Sequence, residues 1–214
     1  MGPKLQGLGR ALLVVGVIVA ACPPHAASAE PPAIRVAIVQ DQPEVALAVH
    51  GGFRITALKT PEALQEGRRL PKTSVRATQQ GIVFGEQALR RDGVSVAPAR
   101  DATIDLNGRR LRGTLEILTQ PNQTLLVVNH VDLEAYLQGV LSKEAPVYWP
   151  SEALKALAIA ARTYAVFQQL SKTSLAYDVS GDVLSQVYGG KSAERGKTTR
   201  AVRSTHGLIL TYQG

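Results

Sequence analysis

From residue 34 to about residue 131, hydrophobic and polar residues alternate with a period of two. The runs cover residues 34–38, 45–49, 53–58, 75–83, 94–96, 103–106 and 115–118. Alternation puts successive side chains on opposite faces, so each run predicts a strand with one face buried. Turn formers fall between them: Gly51-Gly52, Gly67, Pro71, Gly93, Pro98 and Pro121-Asn122. Asn107-Gly108 is a two-residue hairpin signal, because both positions of such a turn need positive φ. Short strands at this spacing predict a small antiparallel barrel or sandwich.

The period changes at Asp132. Asp132 can cap a helix carrying Leu133, Tyr136, Leu137 and Val140 on one side. The pattern breaks between Lys143 and Pro150, where Pro146 and Pro150 bracket Val147-Tyr148-Trp149. A second helix follows to about Leu170, with Ser151 as its N-cap or Pro150 as its first residue. Its many alanines make it slim, and it is expected to be buried on several sides. A loop then holds Asp178, Gly181, Asp182 and residues 185–190. Ser192 is expected to cap a third helix ending near Thr205, with Gly207 stopping it and residues 208–212 forming a last strand. The expected class is α+β: a β-rich part over 34–131, a helical part over 132–206, and a final strand.

Residues 1–29 read differently. Lys4 and Arg10 precede an unbroken apolar run over residues 11–21. At 11 residues it is too short for a bilayer span and fits an export signal. Two processing sites fit. Ala27-Ser28-Ala29 is a small-x-small site before Glu30. Val19-Ala20-Ala21-Cys22 has the form of a lipoprotein signal, in which Cys22 would be lipidated and tether the chain to a membrane. Residues 23–32, rich in Pro and Ala, read as a tether. The domain proper is then 30–214, exported to the cell envelope, periplasmic or extracellular.

Composition narrows the chemistry. Lys and Arg exceed Asp and Glu by seven in the 214 residues, and by five once Lys4 and Arg10 leave with the signal. Such a surplus suits an anionic partner, and export argues against nucleic acid. The single Cys excludes an internal disulfide. There is no P-loop, nucleophile elbow or zinc-helix motif. The four histidines, at 25, 50, 130 and 206, are scattered, so neither a metal nor a cofactor is expected.

Glu144 and Arg162 stand out. Glu144 lies between two helices, close in sequence to Tyr148 and Trp149. An acid in an apolar, aromatic-lined pocket would keep its proton and could donate it to a glycosidic oxygen. A solvated loop carboxylate is the plainer reading, and Lys143 beside it favours the charged form. Arg162 lies on the Ala-rich helix and must find a partner or reach water. It is either a structural ion pair or a group orienting Glu144 or a substrate. Asp178 or Asp182 could be a second carboxylate, but both also read as turn residues.

Several segments together resemble the stage II sporulation protein D / amidase-enhancer LytB family. They are Val128-Asn129, Leu133-Glu134-x-Tyr136-Leu137-x-Gly139-Val140, Glu144-x-Pro146, residues 152–165 with Ala160-Ala161-Arg162-Thr163-Tyr164, and Ser185-Gln186-Val187-Tyr188-Gly189-Gly190. The resemblance implies a peptidoglycan-acting domain. Sporulation members are lytic transglycosylases that cut glycan strands stripped of stem peptides. The family's catalytic Glu falls on Glu144 and its helical Arg on Arg162. Gln186 and Tyr188 fall where the family builds part of its cleft, and Tyr148 and Lys155 join them as expected substrate contacts. Amidase-enhancer members instead assist an N-acetylmuramoyl-L-alanine amidase, which makes a non-catalytic wall-binding module the alternative. Ala145 and Leu157 depart from the usual Met and Gln. The family continues past the strand at 208–212 with a further cleft segment, so the chain is expected to be incomplete at its C-terminus.

Overall fold

The computed structural model describes residues 33–58, 60, 62–172 and 176–212. The expected export signal and Cys22 lie outside these residues. The first twelve strands are β1 (Ile34–Gln42), β2 (Glu44–His50), β3 (Phe53–Ala57), β4 (Ala63–Gly67), β5 (Leu70–Thr78), β6 (Gly81–Phe84), β7 (Gln87–Ala88), β8 (Gly93–Pro98), β9 (Thr103–Leu106), β10 (Arg109–Leu111), β11 (Thr114–Thr119) and β12 (Leu125–Val131). Helices α1 (Leu133–Glu144) and α2 (Ser151–Ser171), strand β13 (Val179–Ser180), a 3-10 turn (Lys191–Ala193) and helix α3 (Gly196–Ser204) follow.

The class is α+β, as the residue pattern predicts. The strands form two open sheets, not a closed barrel: β13-β1-β12-β11-β8-β3-β4 and β10-β9-β2-β5-β6-β7. One hydrophobic core takes Val45, Leu47 and Val49 from one sheet, Ile55, Val94, Val96, Leu115 and Ile117 from the other, and Tyr136, Leu137, Leu154 and Ala158 from the helices. β12 is buried on both faces, with Leu125, Val127 and Val131 in this core and Leu126 and Val128 packed against Ala37 behind it. That explains why its sequence runs apolar without alternating.

Asn107 (φ 51°) and Gly108 (φ 81°) make the expected hairpin between β9 and β10. Asp132 caps α1, its Oδ1 accepting from the Ala135 N–H at 2.9 Å. The start of α2 differs from both expected forms by one position: Pro150 is the N-cap and Ser151 the first helical residue.

Four further expectations change. Residues 75–83 are not one strand. β5 ends at Thr78 and β6 starts at Gly81, whose φ of 115° reverses the chain. Ser192 does not cap the last helix; it sits in the 3-10 turn, and α3 begins at Gly196. α2 is buried along one stripe only, through Leu154, Ala158, Ala161, Arg162 and Ala165, at the spacing of one helix face, while Ala156 and Ala160 are exposed. Residues 208–212 are not a strand. The segment lies against α2: the Leu208 carbonyl accepts from Arg162 and the Leu210 N–H donates to Thr163 Oγ1 at 2.9 Å. Its backbone is held by a helix, so strand-like alternation there has no sheet to join.

Candidate active site

The site is built where the C-terminus of α1 meets the segment 185–190. Gly139 makes the approach possible. A Cβ on it would stand 2.6 Å from the Tyr188 ring and 2.9 Å from the Gly190 carbonyl. With only hydrogen there, the Gly189 N–H reaches the Gly139 carbonyl at 3.1 Å, and the segment lies directly on the helix. Tyr188 then enters the core at 1% exposure, its ring centroid 5.1 Å from that of Tyr136. Its hydroxyl donates to Asn129 Oδ1 at 3.2 Å. Asn129, fully buried, also donates to the carbonyls of Arg112 (2.8 Å) and Thr114 (3.2 Å). The Tyr136 hydroxyl donates to Gln186 Oε1 at 3.1 Å, and Gln186 Nε2 donates to the Ala161 carbonyl. Burial pushes both phenols far above the ordinary tyrosine range.

Glu144 is the last residue of α1 and is exposed. One carboxylate oxygen, Oε1, accepts from the Val187 N–H at 2.8 Å. The aromatic-lined pocket expected around it is not formed. Tyr148 is 80% exposed and Trp149 40%, because the short Pro146–Pro150 connection leaves both on the surface. Glu144 is therefore an oriented surface carboxylate whose Oε2 accepts no hydrogen bond among the described residues.

Beside it is a cleft of about 380 Å³. Its walls include Val187, which holds Glu144, and Lys143, which precedes it. Arg109 and Arg195 complete a cationic lining, with Ser142 and Ser192 among the neutral groups. Arg109 donates to the Tyr188 carbonyl at 3.1 Å, tying the β9–β10 hairpin to the site segment. No single motif marks this cleft, because its cations come from three distant parts of the chain; only the overall basic surplus hinted at it.

The remaining expected residues divide clearly. Arg162 does not reach Glu144. It is 1% exposed and makes a two-pronged ion pair with Glu134, Nε to Oε1 and Nη2 to Oε2, both at 2.7 Å. It also donates to the carbonyls of Ala158, Val202 and Leu208. It thus binds α1, α2, α3 and the segment after α3 together, with the carboxylate on a helix instead of a loop. Sequence reading missed Glu134 as the partner, although Glu134 is a charged residue beside the apolar positions of α1.

Gln186 and Tyr188, expected as glycan contacts, are 8% and 1% exposed, with their side chains in the core, and Tyr188 borders the cleft. They position the backbone that holds Glu144. Lys155 is half-buried and pairs with Glu152 at 2.8 Å. Asp178 is buried in an ion pair with Arg35 (2.6 Å), and Asp182 closes a local turn by accepting from Ser180 Oγ and the Leu184 N–H. Both carboxylates are thus engaged, Asp178 in a buried ion pair and Asp182 in its own turn. Among the described residues no helix is long and apolar enough to cross a membrane.

Residues 121–212 match the family model described as stage II sporulation protein. An uncharacterized protein of Brachyspira hyodysenteriae is 31% identical over 182 residues, 85% of this chain and 49% of the relative. Stage II sporulation protein D of Bacillus subtilis is 31% identical over 137 residues, 57% of this chain and 38% of the relative. The amidase enhancer of Bacillus subtilis is 41% identical over 78 residues, 36% of this chain and 10% of the relative. The chain thus spans about half or less of the length of these relatives. The matched region contains α1, the Glu144 turn, the Arg162 knot and the 185–190 segment, and over residues 121–212 the chain belongs to the stage II sporulation protein D / amidase-enhancer family.

Proposed function

We propose that the domain acts on peptidoglycan in the cell envelope as a lytic transglycosylase of peptide-free glycan strands, with Glu144 as its single acid/base. The observation that carries this is an exposed carboxylate fixed through one oxygen by the N–H of Val187, a residue that, with Lys143, lines the neighbouring cleft.

One carboxyl group suffices for this reaction. Ordinary glycoside hydrolysis needs two carboxylates across the bond. In lytic transglycosylation the muramic C6 hydroxyl is the nucleophile and is already tethered to the reacting ring. Protonated Glu144 gives its proton to the leaving glycosidic oxygen as the bond from that oxygen to the anomeric carbon breaks. The C6 oxygen bonds to the anomeric carbon and its proton passes to Glu144. No water is consumed, and Glu144 ends as it began. Oε1 is held by the backbone, which leaves Oε2 as the oxygen that exchanges protons. Arg162 contributes by fixing α1, and so the direction in which Glu144 leaves it.

The second reading is a wall-binding module that assists an amidase. The openness of the Glu144 surroundings and the likeness to an amidase enhancer favour it. Export, with or without a lipid on Cys22, accompanies either reading. Incubation with peptide-free glycan strands separates them by mass spectrometry. Anhydro-muramyl ends that disappear in Glu144→Gln support the enzyme; strand binding with no such ends supports the module.

A further inference from the structure

The cleft beside Glu144 has a charge that the acid/base chemistry does not use. Lys143, Arg109 and Arg195 line it, and no acidic residue does among the described residues. Lys143 and Arg195 are exposed. Of the carboxylates near it, Glu194 is held by Arg112 at 2.6 and 2.9 Å, Asp105 accepts from the Gly108 N–H at 2.8 Å, and Glu144, beside the cleft but not among its lining residues, accepts from the Val187 N–H. The Arg109 and Arg195 bonds within the protein go to carbonyls, which leave their charge uncompensated. Three like charges in one cleft repel one another, and an anion bound there relieves that repulsion.

We infer that this cleft binds the free lactyl carboxylate of a muramic residue, with Lys143 and Arg195 as the specificity-determining side chains. This rests on the proposed glycan substrate. The sugar rings of an acetylated strand carry hydroxyl and acetamido groups, which are neutral. When the stem peptide is present, the lactyl carboxyl is an amide and is also neutral. Hydrolysis of that amide leaves one negative charge per muramic residue, at a fixed place on the sugar. A cationic cleft adjoining the acid/base therefore distinguishes stripped from peptide-bearing positions at the cutting site. Ser142 and Ser192 add hydroxyls suited to the same oxygens.

The test uses the full chain carrying Glu144→Gln, so that strands are not consumed. Affinity is measured for peptide-free strands, for the same strands with their lactyl carboxyls converted to methylamides, and for a glycerol-phosphate polymer. Amidation is expected to weaken binding by about fivefold or more, the range of an exposed ion pair of about 1 kcal/mol. Lys143→Ala and Arg195→Ala are expected to weaken binding of the carboxylate strands and leave that of the amidated strands unchanged. Both residues are exposed, and an unaltered unfolding transition confirms that each variant folds. Equal affinity for the two strands, loss with both strands alike, or no binding to either overturns the inference. So does a phosphate polymer that binds more tightly through the same two residues. Anhydro ends formed by the unsubstituted chain without carboxylate discrimination would defeat this inference and leave the enzyme reading intact. Discrimination without anhydro ends would do the reverse.

Discussion

Arg162→Ala tests the architecture that aims Glu144. The substitution removes both prongs of the 2.7 Å pair with Glu134 and three donations to carbonyls on α2, on α3 and after α3. Among the described residues Glu134 then keeps only the Gly207 N–H at 3.3 Å. Its side chain is 15% exposed, so water relieves little of the stranded charge. Breaking a buried pair from one side costs about 3–5 kcal/mol. That is a large share of the roughly 5–15 kcal/mol that holds a domain together. With a urea slope of about 2 kcal/mol/M, even the lower figure moves the midpoint down by about 1.5 M. Equilibrium unfolding by circular dichroism reads this directly. Glu134→Gln in the Arg162→Ala background should recover part of the loss, because it removes the unpaired charge. A midpoint shift below about 0.5 M would place the pair with ordinary surface ion pairs and refute the reasoning.

Gly139→Ala should destabilise by about 1–3 kcal/mol, because overpacking against the Gly190 carbonyl outweighs the gain of about 1 kcal/mol in helix propensity; thermal melting checks it. Asn129→Leu should cost a further kind of stability, about 1–3 kcal/mol in urea unfolding, by removing the acceptor of the buried Tyr188 hydroxyl and the amide that donates to the Arg112 and Thr114 carbonyls. Alkaline pH should destabilise the fold. Tyr136 and Tyr188 keep their protons in the folded state beyond the pH at which the unfolded chain loses them. Their contribution is therefore complete below about pH 10 and falls above it, by about 1.4 kcal/mol per pH unit for each tyrosine. Ultraviolet titration should show these two phenols ionising only as the protein unfolds.

Most strands were legible because their alternation is also their burial pattern. Leu47 and Val49 point into the core, and the Asn107-Gly108 turn follows from backbone sterics alone. β4 was not legible: its sequence, Ala-Leu-Gln-Glu-Gly, belongs to an edge strand with little to bury. Residues 208–212 carried a strand pattern but met a helix, since hydrophobic alternation does not name the partner. At the site, Glu144 could be singled out from its place between two helices. The burial of Gln186 and Tyr188 could not, because it depends on the bare backbone of Gly139 some fifty residues earlier. Arg162 required a partner from the start, but the choice of Glu134 over Glu144 is decided by helix packing. The cationic cleft, drawn from a hairpin, a helix end and the approach to α3, exists only after folding.

The most direct measurement of the central claim is the product of the chain on purified peptide-free glycan strands, read by mass spectrometry. The account predicts 1,6-anhydro-muramyl ends, with a rate that falls by about 10²–10⁴ in Glu144→Gln, the usual contribution of a positioned acid/base. The Glu144→Gln protein should fold normally, because the amide oxygen can still accept from Val187. Anhydro ends formed equally by both proteins, or ends formed by neither, would contradict it.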